Sequence, residues 1–384
     1  MNIETRAIHP GRGTDPASAA VSPPLHLSTT FERAPDGSYP HGWSYTTFGN
    51  PARDGLEAAF ADLEGGAGAV ATASGMAAIA AVLSILSPGE RVLASVDLFQ
   101  GTARYLRDEL ERYGIYADFV DICDPDAAAA ALRPQTRMIW LDTPSNPLLR
   151  VADIAALAEI AHRHGAWLAV DNTFATFALQ RPLMLAADVS IYSTTKYIGG
   201  HADVVGGVAV FREAGPLLER ARKWQINAGA VPSPFDCWLV HRGLRTLPWR
   251  MKAHSANALS VARALARHPW VSEVFYPGLE GAPGHNVAKR QMSAFGGVVS
   301  IAVRGGRQAA LATAARVRLF TRAASLGGLE SLIEHRASSP IQTTGRGTGL
   351  ALRDDLLRLS VGLEHAEDLI ADLDQALSGN SGPG

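Results

Sequence analysis

The chain has 384 residues, 47% of them apolar and 19% charged, with a formal net charge of −2. That balance suits one large core plus a smaller second domain and excludes a strongly basic nucleic-acid face. Two cysteines, Cys123 and Cys237, are too few for a disulfide framework and fit a reducing cytoplasm; the polar stretch Met1–Gly13 lacks a signal peptide's apolar core, and no apolar run reaches the roughly 18 residues of a membrane span.

Residues 1–51 are rich in Pro, Gly, Ser, Thr and aromatics and read as an extended arm that packs on a partner subunit. From 52 to 248, strand-like runs (Gly68–Ala73, Arg91–Val96, Met138–Leu141, Trp167–Asp171, Val189–Tyr192) alternate with helical segments (Ala52–Leu63, Thr102–Tyr113, Ile154–His164). The alternation predicts an α/β domain with a mostly parallel sheet. A smaller α+β domain is expected over 249–384. It opens with a helix at Met251–Arg267, continues through a strand at Gly297–Val303 and a helix at Gln308–Ala315, and ends with Leu356–Ser360 and a helix near Ala366–Leu377.

Three strand ends carry chemistry. Lys196 follows Val189–Tyr192, flanked by Ser193 and Thr195, with Gly199-Gly200 behind it. A lysine there is often only solvated, but an amine that forms a Schiff base needs such a partly desolvated pocket, and the hydroxyls can bind a phosphate. Asp171 ends the run Trp167–Val170, where parallel sheets bind ligands, and can face a protonated pyridine nitrogen; its other reading is a helix cap. Ser74-Gly75-Met76 opens a helical stretch whose amides can meet a phosphate, a weak signal by itself. Together, in this chain order, the three point to pyridoxal 5'-phosphate (PLP) held on Lys196. Arg358, inside the apolar run Leu356–Ser360, reads as a clamp on a substrate α-carboxylate or as a structural ion pair. No metal site is expected.

These residues resemble the transsulfuration family of PLP enzymes: cystathionine γ-synthase, cystathionine γ- and β-lyases, methionine γ-lyase and the homoserine-ester sulfhydrylases. The resemblance runs nearly end to end. It is carried by Gly49-Asn50-Pro51, Ser74-Gly75-Met76, Pro144-Ser145-Asn146-Pro147, Val170–Phe174, Ser193–Tyr197 with Gly200-His201, Arg242–Leu247, Ser325-Leu326-Gly327-Gly328 and Leu357–Glu364. It implies the fold type I architecture of the aspartate aminotransferase kind. Lys196 would carry the cofactor and shuttle protons, and Asp171 would pair with the ring nitrogen. Gly75, Met76, Ser193 and Thr195, with Ser74 and Thr173 nearby, would hold the phosphate, and Phe99 would stack on the ring. Asn146, Arg358 and the backbone at Ser325 would bind the substrate carboxylate. The resemblance further implies a homotetramer, a dimer of dimers with shared active sites, in which Tyr45 reaches the neighbour's phosphate.

Departures from the family pattern bear on the reaction. Thr47 stands where an arginine normally contacts the phosphate across the dimer, a loss worth roughly 1–3 kcal/mol if nothing replaces it. Phe99 replaces the usual tyrosine and keeps its stacking face without the hydroxyl that serves a leaving thiol. Ala324 replaces a glutamate of the γ-acting cystathionine enzymes, and Ser44 and Phe48 replace polar arm residues, whereas Arg104 remains. His335–Pro340 departs from the family's His-Pro-Ala-x-Met-Thr-His and leads into a Gly/Thr-rich loop expected to act as a lid. The expectation is γ-elimination or γ-replacement on a small γ-substituted amino acid with a good leaving group rather than cystathionine, in a compact apolar pocket lined by Ala324, Phe48 and Phe99. Acylhomoserine-dependent γ-replacement stands next, then a cystathionine or cysteine β-lyase, then a non-catalytic PLP-binding regulator.

Overall fold

The computed structural model describes residues 1–10, 18–338, 348, 350 and 353–380. Asn50 opens the first long helix, Pro51–Glu64, by accepting from the Ala52 amide at 2.9 Å, with Pro51 at a position that needs no amide hydrogen; Gly65, at φ +83°, ends it. Seven strands follow: β1 (Gly68–Thr72), β2 (Arg91–Ser95), β3 (Tyr116–Val120), β4 (Thr136–Asp142), β5 (Trp167–Asp171), β6 (Val189–Ser193) and β7 (Gly207–Phe211). They form one sheet in the order β1-β7-β6-β5-β4-β2-β3. Strands β2 to β6 pair in parallel, as the alternation of strand and helix predicts. Because β1 and β6 are both antiparallel to β7, they run the same way, so Thr72, Asp142, Asp171 and Ser193 all end their strands on one side.

A second sheet holds β8 (Val271–Phe275), β9 (Val298–Val303), β10 (Thr321–Arg322), β11 (Leu332–His335) and β12 (Leu356–Ser360), ordered β10-β11-β12-β9-β8. Its core packs Val299, Ile301, Leu357 and Leu359 against Val261, Leu265, Leu369 and Leu373 of two helices, Leu247–Leu265 and Ala366–Ser378. The α/β architecture, mostly parallel in the larger sheet and with a smaller second sheet, is therefore as expected. No helix among the described residues is long and apolar enough to cross a membrane.

Several elements differ from the sequence reading. The arm contains a helix, Ile3–Ile8, anchored by buried Ala7 and by Lys252 Nζ on Glu4 at 2.6 Å. The helix expected at Met251 starts at Leu247, where Pro248 fits the amide-free first turn. The helix expected over Thr102–Tyr113 starts at Gln100, widens over Tyr105–Glu109 and tightens over Leu110–Tyr113; Gly114, at φ +75°, stops it. The expected lid, apart from Thr348 and Leu350, lies outside the described residues.

Strand β1 is held from outside the sheet. Glu57, buried in the first helix, accepts from the Ala71 amide (2.8 Å) and from Arg222 (2.6 Å), and Arg222 donates onward to the Ala69 carbonyl (2.7 Å). This knot fixes the strand leading into Ser74-Gly75. Arg222→Met leaves Glu57 a buried carboxylate without its cation and should lower unfolding stability by roughly 2 kcal/mol, discounted for the partial exposure of Arg222. Adding Glu57→Gln should recover part of the loss. Denaturant midpoints of the single and double variants check this.

Candidate active site

Lys196 sits in the turn that follows β6. The Thr194 amide donates to Gly206 O (3.0 Å), and the Gly199 amide donates back to Thr194 O (2.8 Å). Arg250 clamps the turn by donating to the carbonyls of Tyr197, Ile198 (3.2 Å) and Gly243 (2.6 Å). Gly243 permits this approach, since a Cβ there would lie 2.5 Å from the Ile198 and Gly199 oxygens. The Lys196 amine donates to Ser325 Oγ at 2.6 Å. Burial, followed by the charge of Arg358, lowers its pKa to about 8, which raises the neutral, nucleophilic fraction near neutral pH.

Asp171 and Asp142 end neighbouring strands side by side in register. Burial raises both carboxyls, and Asp171 raises Asp142 further. Asp171 Oδ1 accepts from the Thr173 amide (2.9 Å), and Thr173 Oγ1 accepts from the Ser193 amide (2.9 Å). Asp142 Oδ2 accepts from the Phe99 amide (2.7 Å) and so fixes Phe99; Oδ1 has no partner among the described residues. The Phe99 ring lies over Gly101, where a Cβ would come within 2.4 Å of it.

The nine-residue helix Gly75–Leu83 starts at the end of β1, capped by Ser74 Oγ on the Ala77 amide (3.1 Å). A Cβ on Gly75 would lie 2.9 Å from the Ser193 side chain, and one on Gly207 would lie 2.4 Å from Ser74 O. Glycine at both points lets the helix start close onto the end of β6, beside the Ser193 and Thr195 hydroxyls. This cradle of amides and hydroxyls shares one cavity with the Lys196 amine and the buried Asp171 carboxyl, a donor set that fits PLP: the helix start could take the phosphate, Asp171 the ring nitrogen and Lys196 the aldehyde.

At the other end, Arg358 of β12 is buried. Its Nη2 donates to Ser325 O (2.8 Å) and Glu334 Oε2 (2.7 Å), and its Nη1 to Asn146 Oδ1 (3.1 Å). Burial, then the charge of Arg336, lowers its pKa to about 10. Ser325 is held at φ +93°, a strained conformation for a residue with a side chain. Of the two sequence readings of Arg358, the ion pair is present, with Glu334; the residue also lines the cavity.

These residues enclose one cavity of about 340 Å³. Ser74, Gly75, Met76, Phe99 and Thr173 line it with Asp171, Ser193, Thr195 and Lys196, and so do Asn146, Ala324, Ser325 and Arg358. Tyr45 and Phe48 do not; they lie exposed on the arm (45% and 62%), and Arg104 is also outside the lining. The expected apolar pocket is therefore modified within this chain: Phe99 and Ala324 face it, Phe48 does not, and charged Asp142, Glu334 and Arg336 enter it. These three were not anticipated as site residues. Asp142 could have been found as the second acid at a strand end; Glu334 and Arg336 are opposite charges two residues apart at the end of an apolar run.

The model of the family described as Cys/Met metabolism PLP-dependent enzyme matches residues 4–378. The chain belongs to this family. It is 50% identical to cystathionine gamma-synthase of Mycobacterium bovis over 97% of this chain and 96% of that one. It is 44% identical to cystathionine gamma-lyase of Homo sapiens, over 98% and 94%. Among solved structures, metB from Corynebacterium glutamicum superposes with a TM-score of 0.96 at 40% identity, covering 98% of each chain. Family membership makes the chain a PLP-dependent lyase or transferase of the γ-synthase/lyase type, with PLP as its cofactor.

The lowered pKa of Lys196 is directly testable on cofactor-stripped protein. Acylation with an amine reagent, followed by peptide mapping across pH, should half-label Lys196 near pH 8, with exposed Lys223, Lys252 and Lys289 as references. Arg358→Met removes a like charge and should move that midpoint upward; an unchanged midpoint would show that the charge of Arg358 does not act on the amine.

Proposed function

We propose that this enzyme acts at the γ-carbon of an amino acid, expelling a γ-substituent that departs without protonation, such as an ester carboxylate or a halide, rather than cleaving the thioether of cystathionine. The observation that carries this reading is the wall around Phe99. Asp142 fixes the Phe99 backbone at the cavity wall, and among the described residues lining the cavity none is tyrosine, histidine or cysteine. A leaving thiolate needs a proton donor far more than a leaving carboxylate does. The 50% identity to a protein named a γ-synthase supports replacement of the substituent by a nucleophile, with elimination as the same chemistry lacking one.

Bound PLP supplies a positively charged ring that draws electrons from the substrate's α-carbon. The protein's own groups do the rest. Arg358, aimed by Glu334 and Ser325 O, takes the α-carboxylate together with Asn146. Lys196 Nζ, once neutral, would take a proton from the α-carbon, give it up again to the bound cofactor, and only then, neutral once more, take one from the β-carbon; the Ser325 hydroxyl accepts from it at 2.6 Å and positions it. Asp171, whose carboxyl is raised by burial, would be favoured in its charged form by a protonated ring nitrogen beside it, which offsets that burial. Met76, Ile79 and Leu326 keep water from the reacting carbons.

We infer further that residues 52–248 and 249–384 act as cofactor and small domains, that the arm 1–51 is covered by a second copy, and that copies assemble as a dimer of dimers in the cytoplasm. Supporting the arm reading, Val21, Leu25, Leu27, Tyr45 and Phe48 are all exposed on it, a concentration of apolar surface that a partner would cover. Both cysteines are unpaired, which suits a reducing compartment.

Product analysis by mass spectrometry with O-acetylhomoserine, O-succinylhomoserine, vinyl-halide amino acids, methionine and cystathionine tests the reading. Ester or halide substrates should exceed both thioethers by about 100-fold in kcat/KM, and Phe99→Tyr should raise thioether cleavage by about ten-fold or more. Faster turnover of cystathionine by the wild-type enzyme would overturn it.

A further inference from the structure

Arg336 is a charged group that the chemistry above does not use. It follows β11 by one residue, and in the run His335–Pro340 it stands where the family's His-Pro-Ala pattern has proline. Register pairs Glu334 with Arg358 across β11 and β12, and Arg336, the first residue of the short turn Arg336–Ser338, brings its guanidinium back onto Glu334. It lines the cavity with its side chain only 6% exposed.

Its hydrogen bonds are unevenly used. Nη1 donates to both oxygens of Glu334, at 3.0 and 2.9 Å. Nε and Nη2 are buried without a partner among the described residues. Those two nitrogens form the side-on edge of the guanidinium, the fork whose parallel N–H bonds match a carboxylate. Leaving such donors dry is unfavourable, and buried polar atoms are rarely left unmet. Glu334 thus orients two guanidinium groups at once, Arg358, whose bonds to protein groups use both hydrogens of Nη2 and one of Nη1, and Arg336 with an open fork.

We propose that Arg336 is a specificity-determining residue whose open fork receives a second carboxylate, carried at the side-chain end of the bound amino acid, while Arg358 takes the α-carboxylate. The proposal rests on the γ-substituent reading in placing that carboxylate on the substituent. Against the expectation of a compact apolar pocket with Arg104 as its cation, it gives an apolar wall at Phe99 and Ala324 and an anion-binding corner at Arg336.

Binding of unreactive amino acids separates this proposal from the proposed reaction. Holoenzyme is titrated by calorimetry with L-2-aminoadipate and with L-norleucine, which share a chain length and differ in the terminal carboxylate. Wild type should favour aminoadipate by about ten-fold or more, and Arg336→Met should abolish the preference by weakening aminoadipate alone. Arg336→Lys, which keeps a cation beside Glu334 but lacks the fork, should restore only a minor part of it. Any effect on the Lys196 amine acts equally on both ligands and cancels in the ratio. Equal weakening of both ligands would overturn the proposal in favour of a second clamp on the α-carboxylate or a structural partner for Glu334. An unchanged ratio with a raised KM for cysteine would overturn it in favour of the incoming nucleophile. Should esters fail as substrates while the aminoadipate preference depends on Arg336, the reaction reading falls and the assignment of Arg336 stands.

Discussion

One buried guanidinium ties the site together. Arg358 comes from the centre of the smaller sheet, yet its three hydrogen-bond partners lie on three separate segments: Glu334 on the neighbouring strand, Ser325 O in the loop before it, and Asn146 beyond β4 of the larger sheet. Ser325 in turn accepts from Lys196. A buried cation is costly unless its partners are held in good geometry, so this residue fixes the relative placement of the elements it touches. The same charge lowers the pKa of the amine beside it. Structure and reactivity therefore share one cause.

Around that point, the larger sheet delivers its functional groups by direction alone. Strands β1, β4, β5 and β6 run the same way, and so the helix start at Gly75, Asp142, Asp171 and Lys196 gather at one edge. Glycines set the distances: Gly75 and Gly207 bring the helix start against β6, while Gly327, at φ +81°, lets the loop after Ser325 touch the Tyr197 backbone. The result is one cavity lined both by the helix start with the Ser193 and Thr195 hydroxyls and by the guanidinium groups of Arg336 and Arg358.

Much of this was legible in the sequence because each signal had a simple physical period or end mark. The strand Trp167–Asp171 and the strand Leu356–Ser360 are apolar runs with clear ends, and both were read with their boundaries intact. Lys196, Asp171 and Gly75 stood out as polar or small residues at strand ends. Strand β7 was missed because its run Gly207–Phe211 follows a glycine-rich stretch that reads as loop, and the helices Pro216–Asn227 and Pro234–Leu244 lie in a stretch where no helix was read. Glu334 and Arg336 were passed over because a charged residue near a strand end ordinarily faces water. The pairing of β11 with β12 sets Glu334 opposite Arg358, and the ion pair with Glu334 draws Arg336 in beside them. Asp142 went unread for a related reason: its role depends on lying beside Asp171, a neighbour across strands and not along the chain.

The central claim is that the single partly buried lysine, Lys196, carries the cofactor, while Lys223, Lys252 and Lys289 are exposed. Borohydride reduction of the holoenzyme followed by peptide mapping tests it. The account predicts a stable pyridoxyl phosphate adduct on the peptide containing Lys196 and on no other lysine. Adduct on Lys223, Lys252 or Lys289, or a protein that takes up none of the cofactor at saturation, would contradict it.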